Sequence, residues 1–141
     1  MLSKLLTTTI VFLSAATPCL AMTPSELATF ATNYKYNENA PVAYSYYDKS
    51  CQTTVSVPLV KTLDLGSGRI GGITNKYLCW GATYTYFEMT RGNLESIRVF
   101  AEVGAGRSTR YTNWGPVANP GDDLTQDQLI SVAKAIAKHT Q

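Results

Sequence analysis

Residues 81–90 read Gly-Ala-Thr-Tyr-Thr-Tyr-Phe-Glu-Met-Thr, Arg91-Gly92-Asn93 follow, and residues 94–103 read Leu-Glu-Ser-Ile-Arg-Val-Phe-Ala-Glu-Val. Both runs are rich in β-branched and aromatic residues, and the segment between them has turn chemistry, so the stretch reads as a β-hairpin. One face carries Phe87, Met89, Ile97, Val99, Ala101 and Val103 with Thr83 and Thr85; the other carries Tyr84, Tyr86, Glu88, Arg98, Phe100 and Glu102. Keeping the two sets apart predicts a three-residue loop at 91–93, with Tyr86 opposite Arg98 and Phe87 opposite Ile97. A one-residue slip would exchange the faces. Glu88 then lies diagonal to Arg98, within reach of an ion pair, and Tyr86 offers that guanidinium a ring.

Upstream, period-two runs at 42–47, 53–60 and 73–80 predict further strands; Pro58 marks an edge or a bulge, and Gly66–Gly72 a flexible break. Gly104-Ala105-Gly106 ends the hairpin, and a loop holding Trp114 follows. Helix signals bracket this β-rich middle. Thr23-Pro24-Ser25-Glu26 is a capping box with proline at the first helical position, and Leu27, Phe30, Ala31 and Tyr34 follow at helical spacing. Thr125 and Gln128 repeat the box ahead of Leu129, Ile130, Val132, Ala133 and Ile136, and Lys138 and His139 suit the negative end of the dipole. The expected fold class is α+β: an antiparallel sheet of four to five strands flanked by an N-terminal and a C-terminal helix.

Residues 1–21 read as an export signal: Lys4, an apolar run from Leu5 to Ala16, and small residues at Cys19 and Ala21 ahead of a cut. Residues 22–141 are then a single compact domain that retains Cys51 and Cys79. In an oxidising compartment this even pair reads as one disulfide, worth ~3–4 kcal/mol on a chain-entropy estimate. The expected location is periplasmic or extracellular, with no membrane span. Lys and Arg number 12 against 10 Asp and Glu, and the net charge of +2 is too small for a nucleic-acid footprint. A composition 45% hydrophobic and 16% charged argues against disorder.

The sequence is poor in catalytic patterns. Gly66-Ser67-Gly68-Arg69-Ile70-Gly71 spells G-x-G-x-x-G, but β-type residues follow where a phosphate site needs a helix N-terminus. The only histidine, His139, sits on a terminal helix, far from any nucleophile pattern, and the ligands for a His/Cys metal site are lacking. Asp122, Asp123 and Asp127 suit a helix N-terminus better than calcium. Glu88 and Glu102 on one hairpin face would stand roughly 20 Å apart at ~3.3 Å per residue, too far for a glycosidase pair.

The hairpin followed by Val103-Gly104-Ala105-Gly106 resembles the closing segment of small secreted fungal ribonucleases and their effector relatives. That family works with glutamate, arginine and histidine; Glu102 stands here where its histidine belongs, so the resemblance implies a non-catalytic relative or coincidence.

The expectation is a small exported protein-binding module (an inhibitor, immunity factor or secreted effector) that needs no cofactor and whose partner is another protein, not nucleic acid. Its candidate binding residues are Tyr84, Tyr86, Glu88, Arg98 and Glu102 on the polar hairpin face, joined by Arg107, Arg110, Tyr111 and Trp114 from the adjoining loop, because tyrosine and arginine dominate binding surfaces. The alternatives are a ribonuclease-like or other small hydrolytic protein centred on Glu88, Glu102 and Arg98, and a structural subunit of an envelope or secretion assembly that pairs through its Tyr44–Tyr47 edge.

Overall fold

The computed structural model describes residues 22–79, 81–104, 110–111 and 124–141; residues 1–21, where an export signal is expected, and Arg107, Trp114, Asp122 and Asp123 lie outside these. Helix α1 (Pro24–Asn33) precedes strands β1 (Val42–Asp48), β2 (Thr53–Gly66), β3 (Arg69–Leu78), β4 (Gly81–Thr90), β5 (Asn93–Gly104) and β6 (Arg110–Tyr111), and helix α2 (Gln126–His139) comes last. The strands are neighbours in sequence order and every pairing is antiparallel, so the fold is α+β, with five long strands and a two-residue sixth among the described residues. Both helices start on the expected boxes. Thr23 Oγ1 accepts from the Glu26 N–H while Glu26 Oε1 accepts from the Thr23 N–H, and Thr125 with Gln128 does the same. Cys51 and Cys79 form the disulfide.

Each helix covers a different face of the sheet. Val132, Ala133 and Ile136 of α2 pack with Phe87, Met89, Ile97 and Val99, with Ile70 of β3, and with Val55, Val57 and Leu59 of β2. Leu27 and Ala31 of α1, with Met22 before it, pack with Tyr84, Tyr86, Ile73, Ala101 and Val103. Both faces of β4 are therefore buried from Tyr84 to Met89.

Two-sided burial changes the hairpin register from the sequence expectation. The turn is Arg91-Gly92 between paired Thr90 and Asn93; Glu88 lies opposite Arg98, Phe87 opposite Val99, and Tyr86 opposite Ala101. Tyr86 therefore does not face Arg98, nor Phe87 Ile97. Between Val99 and Ala101 the ladder shifts by one residue, and Phe100 is the extra one. Such a bulge exchanges the faces of everything beyond it. Ala101 and Val103, expected beside Phe87, join Tyr84 and Tyr86 under α1, while Glu102 pairs with Thr85 on the side opposite Glu88. The exchange is tolerated because an apolar layer awaits the strand on either side.

Gly66–Gly72 is likewise not a flexible break. β2 runs through Gly66, Ser67 and Gly68 make a two-residue turn with φ of 55° and 79°, and β3 resumes at Arg69. Positive φ at both turn positions matches the right-handed twist of a hairpin. Gly71 and Gly72 are buried strand residues. A Cβ on Gly72 would stand 2.8 Å from Ile136 Cγ1, and one on Gly71 would stand 2.9 Å from the Phe87 carbonyl oxygen and 3.2 Å from the Tyr86 ring. The missing side chains let α2 close on one face and the Tyr86 ring lie on the other.

Candidate functional site

The hairpin face expected to bind is not an open surface. Tyr84, Tyr86 and Glu88 are buried beneath α1, Arg98 is exposed, and Glu102 is half-buried on the other side of the sheet. Arg110 and Tyr111 form β6, paired with Gly104 and Val103, and Arg107 and Trp114 fall outside the described residues. Nor does Arg98 meet Glu88: its Nη1 donates to the carbonyls of Glu95 and Ile97, at 3.0 and 2.8 Å.

The cation that reaches Glu88 is Arg69, which sequence reasoning left in a loop. Arg69 Nη2 lies 2.6 Å from Glu88 Oε1, and the Tyr86 hydroxyl donates to Oε2 at 2.7 Å. Gly71, opposite Glu88, has no side chain in the way, so Arg69, two residues back on the same face, can reach across. Burial pushes the Tyr86 phenol well above its ordinary range, and the hydrogen bond to Glu88 and that carboxylate's charge push it further. The Tyr86–Glu88–Arg69 group is a satisfied internal network that orders the α1 face.

The open site lies at the far end of β3. Residues 59–66 of β2 ladder with 69–74 of β3, but residues 53–58 pair only with β1. The disulfide, with its Cα atoms 5.8 Å apart, rejoins the two strands beyond this gap. Between Leu59–Thr74 and Cys51–Cys79, the β2 side of the gap has the seven residues 52–58 and the β3 side the four residues 75–78. A longer chain between the same two ties must arch away from the shorter one. Pro58, which cannot donate a ladder hydrogen bond, sits at the corner, flanked by register shifts at Val42/Tyr44 and Leu59/Lys61.

Over this divergence lies a cleft of about 820 Å³, within the range of small-molecule and peptide sites. Thr53, Thr54, Ser56 and Pro58 line one wall, Asn75, Tyr77, Ala82 and Tyr84 the other, and Tyr34 and Tyr36 beyond the end of α1 complete the rim. None of the described residues that line it is charged. Tyr84 anchors the inner end, edge-on to Tyr34 and Phe30 with ring centroids 5.9 and 6.2 Å away, and its burial raises the phenol above its ordinary range. Tyr36 and Tyr77, by contrast, are 75% and 73% exposed. Asn75 is 7% exposed, and its Oδ1 accepts no hydrogen bond among the described residues.

The gap is also braced from behind. Asp48 accepts the Cys51 N–H at 2.9 Å and the Tyr46 hydroxyl at 3.0 Å, and the Lys76 ammonium lies 5.7 Å from the centre of the Tyr46 ring. The Cys51 N–H foremost, then the Tyr46 hydroxyl, hold the Asp48 carboxyl below its ordinary range. These contacts fix the turn that carries Cys51, and with it one end of the cleft.

Sequence reasoning missed Asn75, Tyr77, Tyr36 and the polar wall of β2. The one legible signal was the alternation of Thr54, Ser56 and Pro58 with Val55 and Val57, which marks a polar face whose purpose depends on what lies across from it. Comparison of the chain with protein families, with curated proteins and with solved structures returns no match, so the geometry of this cleft carries the functional argument.

Proposed function

We propose that the chain is an exported protein-binding module, of the inhibitor, immunity-factor or secreted-effector kind, that holds an uncharged, extended segment of its partner in the cleft between the diverging halves of β2 and β3. The observation that carries this reading is Asn75 Oδ1, which has no hydrogen-bond partner among the described residues and is set in a wall between two strand segments that do not pair with each other. A buried acceptor left unsatisfied costs about 1–3 kcal/mol, which a donor from a partner recovers. An extended peptide supplies main-chain donors and acceptors at the strand spacing. The exposed rings of Tyr36 and Tyr77 supply contact area at little entropic loss. Export fits the disulfide, and no helix among the described residues is long and apolar enough to cross a membrane. The cleft lining offers hydroxyls, an amide and aromatic rings, the groups of a binding site rather than of a hydrolase.

A displayed library of random peptides panned on the oxidised protein tests this. Uncharged, β-prone sequences should be enriched, their binding should shift the backbone amide resonances of residues 53–58 and 75–78, and Tyr77→Ser should weaken it about tenfold or more. Peptide binding that leaves those amides unmoved overturns the site. Binding of neutral saccharides with no peptide enrichment overturns the partner class.

A further inference from the structure

The cleft is walled by main chain as well as by side chains, and strand alternation fixes which main-chain groups face it. In an antiparallel ladder, residues that exchange hydrogen bonds with one neighbour alternate with residues whose N–H and C=O turn the other way. The Leu59 N–H donates to the Pro41 carbonyl at 2.8 Å, so Leu59 faces β1. By alternation Val57 and Val55 face β1 as well, and Ser56 and Thr54 face the interval toward β3. On β3, Leu78 pairs with Gly81 across a two-residue connection, which turns Leu78, Lys76 and Thr74 toward β4 and leaves Tyr77 and Asn75 facing β2. The alternation on the two strands is consistent at the last rung, Leu59–Thr74, where both residues turn outward. Beyond that rung nothing in the ladder joins 53–58 to 75–78, and Asn75 Oδ1 beside this interval has no partner among the described residues. Seven residues against four between the same two ties leave the β2 arm slack to bow by roughly 10 Å, and a strand set between two others needs two spacings of ~4.8 Å. The interval is closed at both ends, by the Leu59–Thr74 rung and by the disulfide, so a strand cannot run through it. A segment must enter and leave by the open face.

We propose, resting on the reading of the cleft as a peptide site, that the partner inserts the tip of a protruding loop between β2 and β3 as a short added strand. Its main chain takes up the inward-facing groups of Thr54 and Ser56 on one side and of Asn75 and Tyr77 on the other. The four residues 75–78 span roughly 13 Å at ~3.3 Å per residue, so about four residues of the loop fit between the ties. Main-chain bonds supply the affinity, and the side chains that flank them supply the choice of partner. The Asn75 Oδ1 acceptor selects a donor side chain in the loop, and the exposed Tyr77 ring covers it from the rim. A loop already held extended in its own protein loses little freedom on entry. Insertion joins the β1–β2 ribbon to the rest of the sheet where the two had parted.

Amide hydrogen exchange of the free, oxidised protein tests the open edges without any ligand. The amides of Thr54, Ser56, Asn75 and Tyr77 should exchange about tenfold or more faster than those of Val55, Leu59 and Lys76, their neighbours bonded to β1 or β4. Equal protection of the two sets overturns the inference. A peptide enriched in the library panning then serves as the probe. Replacing its amide bonds one at a time by esters removes a donor and keeps the shape, and should weaken binding about fivefold at each of about four consecutive positions and not elsewhere. Binding indifferent to every ester overturns the insertion while the cleft survives as a side-chain site. Losses at alternate positions place the segment on one edge only and overturn it too. Head-to-tail cyclisation of the peptide through its flanking residues should keep affinity within about threefold, and a loss beyond about tenfold overturns the loop as occupant. A panning that enriches no peptide overturns this inference together with the reading on which it rests.

Discussion

The two faces of this sheet are made of different materials. Under α2, Ile136 drops onto Gly72 among Leu59, Phe87 and Met89, and the layer is held by close apolar packing. Under α1, the layer includes Tyr84, Tyr86 and Glu88, with Arg69 reaching in from the rim. Its order comes from hydrogen bonds with fixed partners. The first kind of face tolerates no loss of volume, and the second no loss of a donor. The cleft opens on the α1 side, beside Tyr84 and Tyr34, where polar groups are already part of the interior.

The largest expected effect tests the apolar face. Ile136 is fully buried, and Ile136→Ala should destabilise the fold by about 3 kcal/mol, the sum of lost transfer energy and the cavity left above Gly72. Urea unfolding followed by circular dichroism measures it. A loss below about 1 kcal/mol would mean that α2 resettles freely, and the contrast between the faces would fail.

A smaller effect is expected on the other side. Tyr86→Phe preserves the ring over Gly71 and removes only the hydroxyl, so about 1–2 kcal/mol should be lost as Glu88 gives up one of its two donors. The two faces should also differ in alkali. The folded-state pKa of Tyr86 is raised, so its contribution is complete below the unfolded tyrosine value of about 10 and falls away as pH rises from there toward the folded value. Tyr86→Phe should therefore flatten the stability loss above about pH 10, while Ile136→Ala should leave its slope unchanged.

The same division explains what could be read from the chain. Capping boxes are local, and Thr23–Glu26 and Thr125–Gln128 declare both helices within four residues. Alternation and turn chemistry place the strands and the site of the hairpin turn, but neither the length of that turn nor the run of β2 and β3 through Gly66–Gly72, and the disulfide follows from an even cysteine pair in a chain expected to be exported. The register of β4 on β5 does not. The rule that one face must stay apolar holds for a sheet covered on one side, whereas here a bulge at Phe100 is accommodated because α1 covers the second side. Arg69 escaped notice because its partner is brought to it by the Ser67-Gly68 turn and the gap at Gly71, and the glycine-rich spelling concealed both. The cleft is the least legible feature. It arises from unequal spans between two ties, the Leu59–Thr74 pair and the disulfide, and neither length has meaning until both ties are known.

Asn75 gives the smallest expected change in stability and the sharpest test of the contrast. On the α1 side the buried Tyr86 hydroxyl has Glu88, and the buried Glu88 has Arg69 as well. Asn75 Oδ1 has none among the described residues, in an uncharged stretch of wall where its position lies opposite Tyr84. If its amide served the fold, Asn75→Leu would behave like Tyr86→Phe and destabilise the protein by a comparable amount. If it is held open for a ligand, removing it relieves an unsatisfied group, and stability should stay within about 0.5 kcal/mol of the wild type or rise. Binding of the enriched peptides should meanwhile fall about tenfold or more. Asn75→Asp retains an acceptor but sets a buried charge in a neutral cleft, and should lose both stability and binding. A residue whose loss leaves the fold intact and abolishes binding belongs to function, and on this sheet Asn75 is the position where the two effects should separate most cleanly.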